Sequence, residues 1–307
     1  MLVGGFAVLF LILYYVACAA PADFPSGDLI VVGRGASASE VAEQLADMHV
    51  IKQPLLLRIL LRVGGTGGAV QAGVYRFESP QNLFVVERRL VTGDYRLPPV
   101  RLTFIEGATV RDMAAQIAEA LSVSKDTFLA KAKPYEGYLF PDTYFFSVAA
   151  TADSILATLR ANFDTRTAPL APDIAASGHS FSDIIIMASL VEKEARTTEN
   201  RRIVAGILWN RLARGMLLQV DAVFGYIYNR DTYSPSFADL KVNSPYNTYL
   251  HKGLPPTPIN NPGLDAIEAV LHPIKTNYVY YLTGKDNLMH YAITYAEHQA
   301  NQRKYLK

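Results

Sequence analysis

The feature that most limits how this chain can fold is the stretch IIIMASLVEKEA, residues 184 to 195. Its first eight residues are apolar except for one serine, and two glutamates with a lysine between them follow. Ser180 or Ser182 can cap a helix here, and the uninterrupted run is too long for an ordinary strand. Because apolar residues cover every side of that helix, the pattern predicts a buried helix.

The two glutamates of this stretch, Glu192 and Glu194, point in different directions. Glu194 follows Val191 by three residues and Met187 by seven, so the helical period places it on the innermost stripe, whereas Glu192 faces roughly the opposite way. The negative end of the helix dipole and an apolar environment both raise a carboxyl pKa, as a general acid near neutral pH requires. The alternative is a solvated helix end in which Lys193 screens its neighbours.

Composition limits the classes of function. The chain has 307 residues, of which 50% are hydrophobic, so it can bury a sizeable core and is expected to form two domains. The net charge of +1 indicates no polyelectrolyte partner, and nucleic acid is not expected. No His, Cys and Asp side chains occur at the spacing of a metal site, and the six histidines are scattered. We therefore expect neither a metal nor a cofactor.

The first twenty residues, MLVGGFAVLFLILYYVACAA, contain no charged side chain and match the length of a helix that crosses a bilayer. They predict a membrane anchor or an uncleaved export signal over residues 1–20. No Lys or Arg precedes the segment, so flanking charge does not decide its orientation. From PADFPSGD onward the chain has the composition of a soluble protein.

Two strand–turn–helix units follow and predict an α+β fold. The first is LIVVGRGASASEVAEQLADMHVI, with Ser37 or Ser39 as helix cap. The second is VRLTFIEGATVRDMAAQIAEAL, with Thr109 as cap. Between them, AGVYRFE and LFVVERRLVTGD fit either two strands or a strand followed by a short helix. Residues 134–146, PYEGYLFPDTYFF, begin a second region that runs to the C-terminus.

That aromatic stretch contains two acidic residues, Glu136 and Asp142. Its rings fit either a groove that stacks on sugar faces or a packed loop that seals a domain core. Further along, TTENRRIVAGILWNRLARGM predicts a helix with Thr198 as its N-cap. The segments after that helix supply polar side chains interleaved with rings, which suits a glycan, although Asn and Pro there can equally serve only to build turns.

Five ordered segments resemble one known family: EGYLFPDTYFF, MASLVEKEA, VAGILWNRLARGMLLQVDAVFGY, SPYNTYLHKGLPPTPINNPGLDAIEAVLHP and YVYYL. They are similar to the endolytic murein transglycosylases called MltG, or YceG-like. The resemblance implies a single-pass protein of the inner (cytoplasmic) membrane, with a LysM-like α+β subdomain over residues 21–133. It also implies an α+β catalytic domain over residues 134–307 on the periplasmic or extracytoplasmic side. The implied partners are peptidoglycan glycan strands and cell-wall synthases.

By motif, Glu194 matches the catalytic residue of that family. The residues expected to bind substrate are Glu136, Asp142, Glu192, Gln219, Asp221, Tyr246, Asn247 and Thr248. Three roles stay open for Glu192: orienting a neighbour, binding the glycan, or standing as a solvated acid. Two alternative functions also stay open. One is a lysozyme-type hydrolase that pairs Glu194 with a second acid such as Asp221, and the other is a peptidoglycan-binding scaffold without catalysis.

Overall fold

The computed structural model of this chain describes residues 12, 14–33, 35–63, 70–230 and 234–307. It divides into two compact units, residues 1–100 with 145–150, and residues 101–144 with 151–307. Both contain helices and a small antiparallel sheet, so the fold is α+β, as predicted. The functional boundary expected between residues 133 and 134 stays a prediction.

The predicted membrane anchor over residues 1–20 lies mostly outside the described residues, which include only Ile12 and the stretch from Tyr14 onward. Within the described ranges, no single helix is long and apolar enough to cross a membrane. One pair of helices, Ala152–Ser177 and Phe181–Glu194, meets the length and composition requirements only together, and the pair is bent by 106°. The anchor therefore stays a prediction.

The first unit packs a pair of antiparallel strands with three helices in one core. Its elements are β1 (Leu29–Val32), α1 (Ala38–Asp47), α2 (Pro54–Val63), β2 (Gly73–Arg76) and α3 (Leu83–Thr92). Alternate side chains of β1, Ile30 and Val32, are buried, as the period of a half-buried strand requires. They lie in the same core as Leu57 and Leu61 of α2. The strand and the helix predicted within residues 29–51 are confirmed.

Side-chain caps fix the starts of two helices in the first unit. Ser37, one of two predicted caps, accepts a hydrogen bond from the N–H of Glu40 at 3.2 Å. Asn82 accepts from the N–H of Val85 at 3.0 Å, and α3 ends at Gly93 in the left-handed conformation. The segment LFVVERRLVTGD is therefore a helix, which decides between the two alternatives left open by its sequence.

The rest of the chain supplies the larger set of elements. They are β3 (Val100–Thr103), α4 (Val110–Ala120), α5 (Lys125–Ala132), β4 (Thr143–Phe146), α6 (Ala152–Thr167), α7 (Ala171–Ser177), α8 (Phe181–Glu194), α9 (Thr198–Ala213), α10 (Ala222–Tyr228), α11 (Leu264–Leu271), β5 (Tyr280–Thr283), β6 (Met289–Ala292) and α12 (Tyr295–Tyr305). Strand β3 pairs with β4, and β5 pairs antiparallel with β6. Thr109 caps α4, as predicted.

Helix α8 lies at the centre of the second unit's core. Ser180, one of its two predicted caps, accepts a hydrogen bond from the N–H of Asp183 at 3.0 Å. Every residue from Ile184 to Val191 is buried, and the helix packs against α9 and α11. The one polar residue of this run, Ser189, donates its hydroxyl proton to a carbonyl of the preceding turn at 2.7 Å. The prediction of a buried helix is confirmed.

The predicted N-cap of α9 is wrong by one residue. Thr197, not Thr198, has extended backbone and accepts a hydrogen bond from the N–H of Asn200 at 3.3 Å. Two adjacent threonines satisfy the same capping pattern, so the sequence alone does not distinguish them. In the observed register, Arg201 and Arg211 both lie on the buried side of α9. Arg201 therefore lies next to Glu192, and Arg211 lies near Glu194, at the end of α8.

Candidate active site

Glu194 is the last residue of α8, and groups from distant parts of the chain surround its carboxyl group. Its Oε2 accepts a hydrogen bond from the hydroxyl of Tyr281 at 2.8 Å. The N–H of Ala222, at the first position of α10, also bonds to the carboxylate. Asp221 and Arg211 lie close enough for their charges to act on it. The inward direction predicted for Glu194 therefore leads to a cluster of polar groups.

Burial raises the pKa of Glu194 to about 7, because apolar surroundings disfavour the charged carboxylate. The hydrogen bond from Tyr281 opposes this rise, and the negative charge of Asp221 adds to it. The Ala222 N–H and the Arg211 cation also favour the ionised form. At neutral pH the carboxyl group is thus present in both protonated and ionised forms. Such a group can donate a proton in one step and accept one in the next.

Tyr281 and Arg211 are site residues that sequence reasoning did not identify. Tyr281 lies on β5 directly opposite Tyr291 of β6. The buried guanidinium of Arg211 donates from Nε to the carbonyl of Val279 at 2.6 Å and from Nη1 to that of Leu218 at 2.5 Å. These bonds join α9 to the residue just before β5 and to the segment that precedes α10. The available sequence signal was a charged residue on the packed side of a predicted helix.

The chain just before α10 is hydrogen-bonded to the loop that contains Thr248 and Tyr249. The N–H of Gln219 donates to the carbonyl of Thr248 at 3.1 Å, and the Thr248 hydroxyl accepts from the next N–H at 2.9 Å. The Tyr249 hydroxyl donates to Oδ1 of Asp221 at 2.6 Å. Because Asp221 directly precedes the N–H that reaches Glu194, these contacts bring three of the predicted binding residues to the catalytic candidate.

Gln219 and Tyr246 are two predicted binding residues that are not fully buried. Gln219 is exposed and has a left-handed φ of +49°, which is uncommon for a residue with a Cβ atom and often marks functional sites. Tyr246 is half-buried, and its hydroxyl shares a hydrogen bond of 2.7 Å with the hydroxyl of Thr257. Its ring lies 5.1 Å from that of Tyr226 on α10. Their predicted contact with substrate stays a prediction.

Asn247 has a different setting from its neighbours. It is fully buried, and its Nδ2 donates to the carbonyls of Val242 at 2.9 Å and Leu240 at 3.1 Å. Its Oδ1 accepts from the N–H of Tyr249 at 3.0 Å. These bonds stabilise the loop that contains Tyr249, whose hydroxyl bonds to Asp221. Direct substrate binding by Asn247 stays a prediction.

Glu192 faces away from Glu194, as the helical period predicted. Its side chain is only 4% exposed, so the alternative of a solvated acid is wrong. Oε1 accepts from Nη2 of Arg201 at 2.5 Å, and Oε2 accepts from the N–H of Gly263 at 2.9 Å. Arg201 also donates to Asp265 at 2.6 Å. Glu192 thus joins α8 to α9 and to the start of α11, while its predicted contact with the glycan stays a prediction.

Glu136 is the other carboxyl group whose pKa burial raises to about 7, against an opposing hydrogen bond from the N–H of Val110. It is 6% exposed, and Oε1 accepts from that N–H at 3.0 Å and from Nδ2 of Asn261 at 3.3 Å. Asn261 in turn accepts from the N–H of Gly137 at 2.9 Å. Tyr226 lies close enough to feel the charge of Glu136. Glu136 therefore lies near Tyr226 of α10.

Asp142 belongs to a separate polar cluster. Its Oδ2 accepts from Nη2 of Arg166 at 2.8 Å and from Nδ2 of Asn162 at 3.2 Å, and its Oδ1 accepts from the next backbone N–H. No hydrogen bond among the described residues joins it to Glu194, and its predicted role in binding stays a prediction. Across the same ranges, no group of three or more His, Cys, Asp or Glu side chains is placed to hold a metal ion.

Comparison with known proteins gives consistent matches. A sequence model of the YceG-like family matches residues 30–304. A protein of Bacillus subtilis (strain 168) named endolytic murein transglycosylase is 30% identical, and the match covers 90% of this chain and 84% of the relative. A protein of the same name from Streptococcus pneumoniae serotype 2 is 27% identical, and the match covers 92% of this chain and 59% of the relative.

A solved structure is also similar. The crystal structure of a yceG-like protein from Listeria monocytogenes matches with a TM-score of 0.61 and 26% sequence identity. The match covers 90% of this chain and 99% of that one. Similarity therefore extends over the fold of nearly the whole described chain.

Replacing Glu192 should weaken the fold. We expect Glu192→Gln to lower the free energy of unfolding by about 3 kcal/mol, because it leaves the buried Arg201 cation compensated by Asp265 and, at a longer distance, by Glu106. Urea denaturation measures the change. The control is Glu119→Gln on an exposed part of α4, expected to change stability by less than about 0.5 kcal/mol. Equal effects of the two substitutions would contradict the structural role of Glu192.

Removing the Tyr281 hydroxyl should raise the pKa of Glu194, since that hydroxyl stabilises the ionised carboxylate. We expect Tyr281→Phe to raise it by about one unit, because a hydrogen bond to a charged group contributes about 1.5 kcal/mol. NMR titration of carbon-labelled glutamate carboxyls measures the pKa, and Glu194→Gln assigns the signal. Tyr291→Phe is the matched control, because the Tyr291 hydroxyl donates to Asn200 instead. A pKa that is the same in both variants would refute the assignment.

Proposed function

The chain belongs to the YceG-like family, and on that membership we propose that it is an endolytic murein transglycosylase. Such an enzyme is a lyase that cuts within the glycan strands of peptidoglycan. Two relatives that match 90% or more of this chain carry that name. The observation that carries the proposal is Glu194, a carboxyl group with a pKa of about 7 at the end of a buried helix.

In the first proposed step, Glu194 acts as a general acid. Its proton passes to the glycosidic oxygen between MurNAc and GlcNAc while the bond from that oxygen to C1 of MurNAc breaks. Positive charge then develops on the MurNAc ring, as in other glycosidic cleavages. The burial of Glu194 supports this role, because it keeps part of the carboxyl population protonated at neutral pH.

In the second step, the Glu194 carboxylate acts as a base. It takes the proton of the MurNAc C6 hydroxyl while the hydroxyl oxygen forms a bond to C1, which closes a 1,6-anhydro ring. The proton given up in the first step is thereby recovered, and no water is consumed. The hydrogen bond from Tyr281 supports this step because it orients the carboxylate. One carboxyl group serves both steps, which explains why a raised but not extreme pKa is useful.

We propose that the glycan lies along the exposed groups beside Glu194. Asp221 and Gln219 are exposed, and the half-buried Tyr246 and Tyr249 offer ring faces and hydroxyls next to them. Hydroxyl-rich sugars suit this mixture, because the rings stack on sugar faces while the polar groups bind hydroxyls. Thr248, Asn247 and Glu136 are assigned to the same binding region with a mainly supporting position. Asp142 and Glu192 are assigned a structural role, because each accepts hydrogen bonds that join separate elements of the second unit.

The location of the enzyme is also part of the proposal. Residues 1–20 form a single-pass anchor in the cytoplasmic membrane, and residues 134–307 work on the outer side, where peptidoglycan strands are made. The absence of charge over those twenty residues supports the anchor. The region of residues 21–133 acts as a LysM-like module that binds peptidoglycan, and wall synthases that produce the strands are the expected partners.

A lysozyme-type hydrolase is the second candidate, because Asp221 lies close enough to Glu194 to raise its pKa. Most glycoside hydrolases use two carboxylic side chains that flank the glycosidic bond to be cleaved. The two reactions differ by one water, since a hydrolase adds it to the new end and a transglycosylase does not. A non-catalytic scaffold differs from both, because it would keep its full cellular function without the Glu194 carboxyl group.

Replacing Glu194 tests the chemistry directly. We expect wild-type protein to release fragments with 1,6-anhydroMurNAc ends from uncrosslinked glycan strands, in the presence of a chelator, at a rate that falls as pH rises above about 7. Glu194→Gln keeps the shape of the side chain but has no exchangeable acid proton. It should lower the rate by at least about 10² to 10⁴, the usual contribution of a general acid–base group. Mass spectrometry of the fragments measures both the rate and the product.

The matched control for this test is Glu192→Gln, two residues earlier on the same helix. Assayed below its lowered melting temperature, it should keep cleaving, since its carboxylate pairs with Arg201 rather than with the polar groups around Glu194. An inactive Glu192→Gln beside an active Glu194→Gln would overturn the assignment. Products heavier by one water would establish the hydrolase instead.

A reporter fused after Lys307 tests the proposed location. We expect a reporter that works only outside the cytoplasm to be active there, because the proposed anchor crosses the membrane once. The measurement is the ratio of activities of two such fusions, one with an exported phosphatase and one with a cytoplasmic galactosidase. Activity of the galactosidase fusion alone would place the C-terminal region in the cytoplasm, away from peptidoglycan, and would contradict the proposed location.

A further inference from the structure

The N-terminal apolar segment meets the first unit at the starting points of two helices. Its helical end includes Tyr14 and Tyr15. Nζ of Lys52, two residues before α2, donates to the carbonyl of Tyr15 at 2.8 Å and lies 4.5 Å from its ring. Nδ2 of Asn82, the cap of α3, donates to the Tyr14 hydroxyl at 3.2 Å, and the next N–H bonds to the carbonyl of Cys18. Both α2 and α3 therefore begin beside the proposed anchor.

Helix α2 is apolar on two opposite faces. Leu57 and Leu61 are completely buried in the core of the first unit. Leu55, Ile59 and Val63 form a stripe at four-residue spacing on the other side and are 61%, 47% and 77% exposed. A helix of a water-soluble surface normally has polar residues on its outer face. The outer stripe of α2 therefore needs an apolar environment that the described chain does not provide.

Helix α3 repeats this pattern at its start. Phe84 and Val85 occupy its first turn and are 48% and 39% exposed. Arg88 follows one turn later and is exposed. Helices α2 and α3 pack against each other. The outer stripe of α2 and the first turn of α3 thus belong to neighbouring helices, and we call these five residues, Leu55, Ile59, Val63, Phe84 and Val85, the apolar collar.

Cationic side chains accompany the collar. Arg58 and Arg62 lie between its members along α2, and that helix contains no acidic residue. Lys52 lies beside Tyr15 at the point where the anchor meets the unit. Arginine and lysine can bury their stems in apolar surroundings while their charges reach anionic phosphates. Tyrosines near the end of an apolar segment are also typical of the membrane interface.

We propose that the apolar collar rests in the headgroup region of an anionic bilayer and holds the first unit against the membrane. The inference rests on the anchor that is part of the proposed function. Lipid suits this surface better than a second protein, because the two helices that carry the collar begin beside Lys52 and Asn82, which touch the anchor. The apolar side chains of α2 also alternate with arginines. A helix of this kind lies in the interface plane with its apolar face about 5–10 Å deep.

The test uses the full chain in vesicles that contain phosphatidylglycerol, some of them with brominated acyl chains. Cys18, the single cysteine, is first changed to serine, and a fluorescent dye is attached at Ile59→Cys. The control dye is at Leu288→Cys, which has similar exposure, 62%, and lies in the second unit. We expect brominated lipid to quench the dye at position 59 and to leave the dye at position 288 unquenched. Aqueous iodide should give the reverse pattern.

Flotation of the vesicles after an alkaline wash separates the two levels of the proposal. Protein that does not float refutes the anchor, and the collar inference falls with it. Protein that floats but has a dye at position 59 open to iodide refutes only the collar. A dye at position 59 that is shielded from iodide yet unaffected by brominated lipid shows that protein covers the collar. Energy transfer between labelled copies would identify that protein as a second copy of the chain, and either result overturns lipid contact.

Discussion

A carboxyl group at the end of a buried helix, hydrogen-bonded by the Tyr281 hydroxyl and the Ala222 N–H, is the constraint on which the second unit depends. Glu194 lies at the negative end of the α8 dipole and against apolar surroundings, and both disfavour its charge. Glu192, two residues earlier, is stabilised by the cation of Arg201. The main partner of Glu194 is instead the neutral hydroxyl of Tyr281. A neutral donor orients a carboxyl group and favours its ionised form less than a hydrogen-bonded cation does, so the proton can leave and return.

The last turns of α8 are held from the side as well as from within the helix. The loop before α11 supplies the N–H of Ile259 to the hydroxyl of Ser189 at 3.1 Å and the amide of Asn260 to the Ser189 carbonyl at 2.7 Å. It also supplies the N–H of Gly263 to Glu192. These bonds join the last two turns of α8 to the loop before α11, so the Glu194 carboxyl group at the end of the helix has a defined position.

The sequence was sufficient to predict those features that depend on local periodicity. The α+β class, the burial of α8 and the opposite directions of Glu192 and Glu194 all follow from patterns within a few turns of chain. Periodicity does not select tertiary partners: Tyr281 is 87 residues from Glu194, and nothing near either residue indicates the contact. Glu136 shows the same limit, since its sequence fitted both a sugar groove and a packed loop. Its buried carboxyl group accepts a hydrogen bond from Asn261, which is 125 residues away.

The order in which the chain is made gives the Glu194–Tyr281 bond a further meaning. A chain synthesised from its N-terminus exposes α8 long before β5, which supplies the hydroxyl 87 residues later. The carboxyl group therefore gains its oriented state only after the chain up to Tyr281 has been synthesised and folded. Prematurely ended chains keep the two glutamates but lack the strand that positions one of them. In such chains the Glu194 carboxyl group has no Tyr281 hydroxyl to orient it.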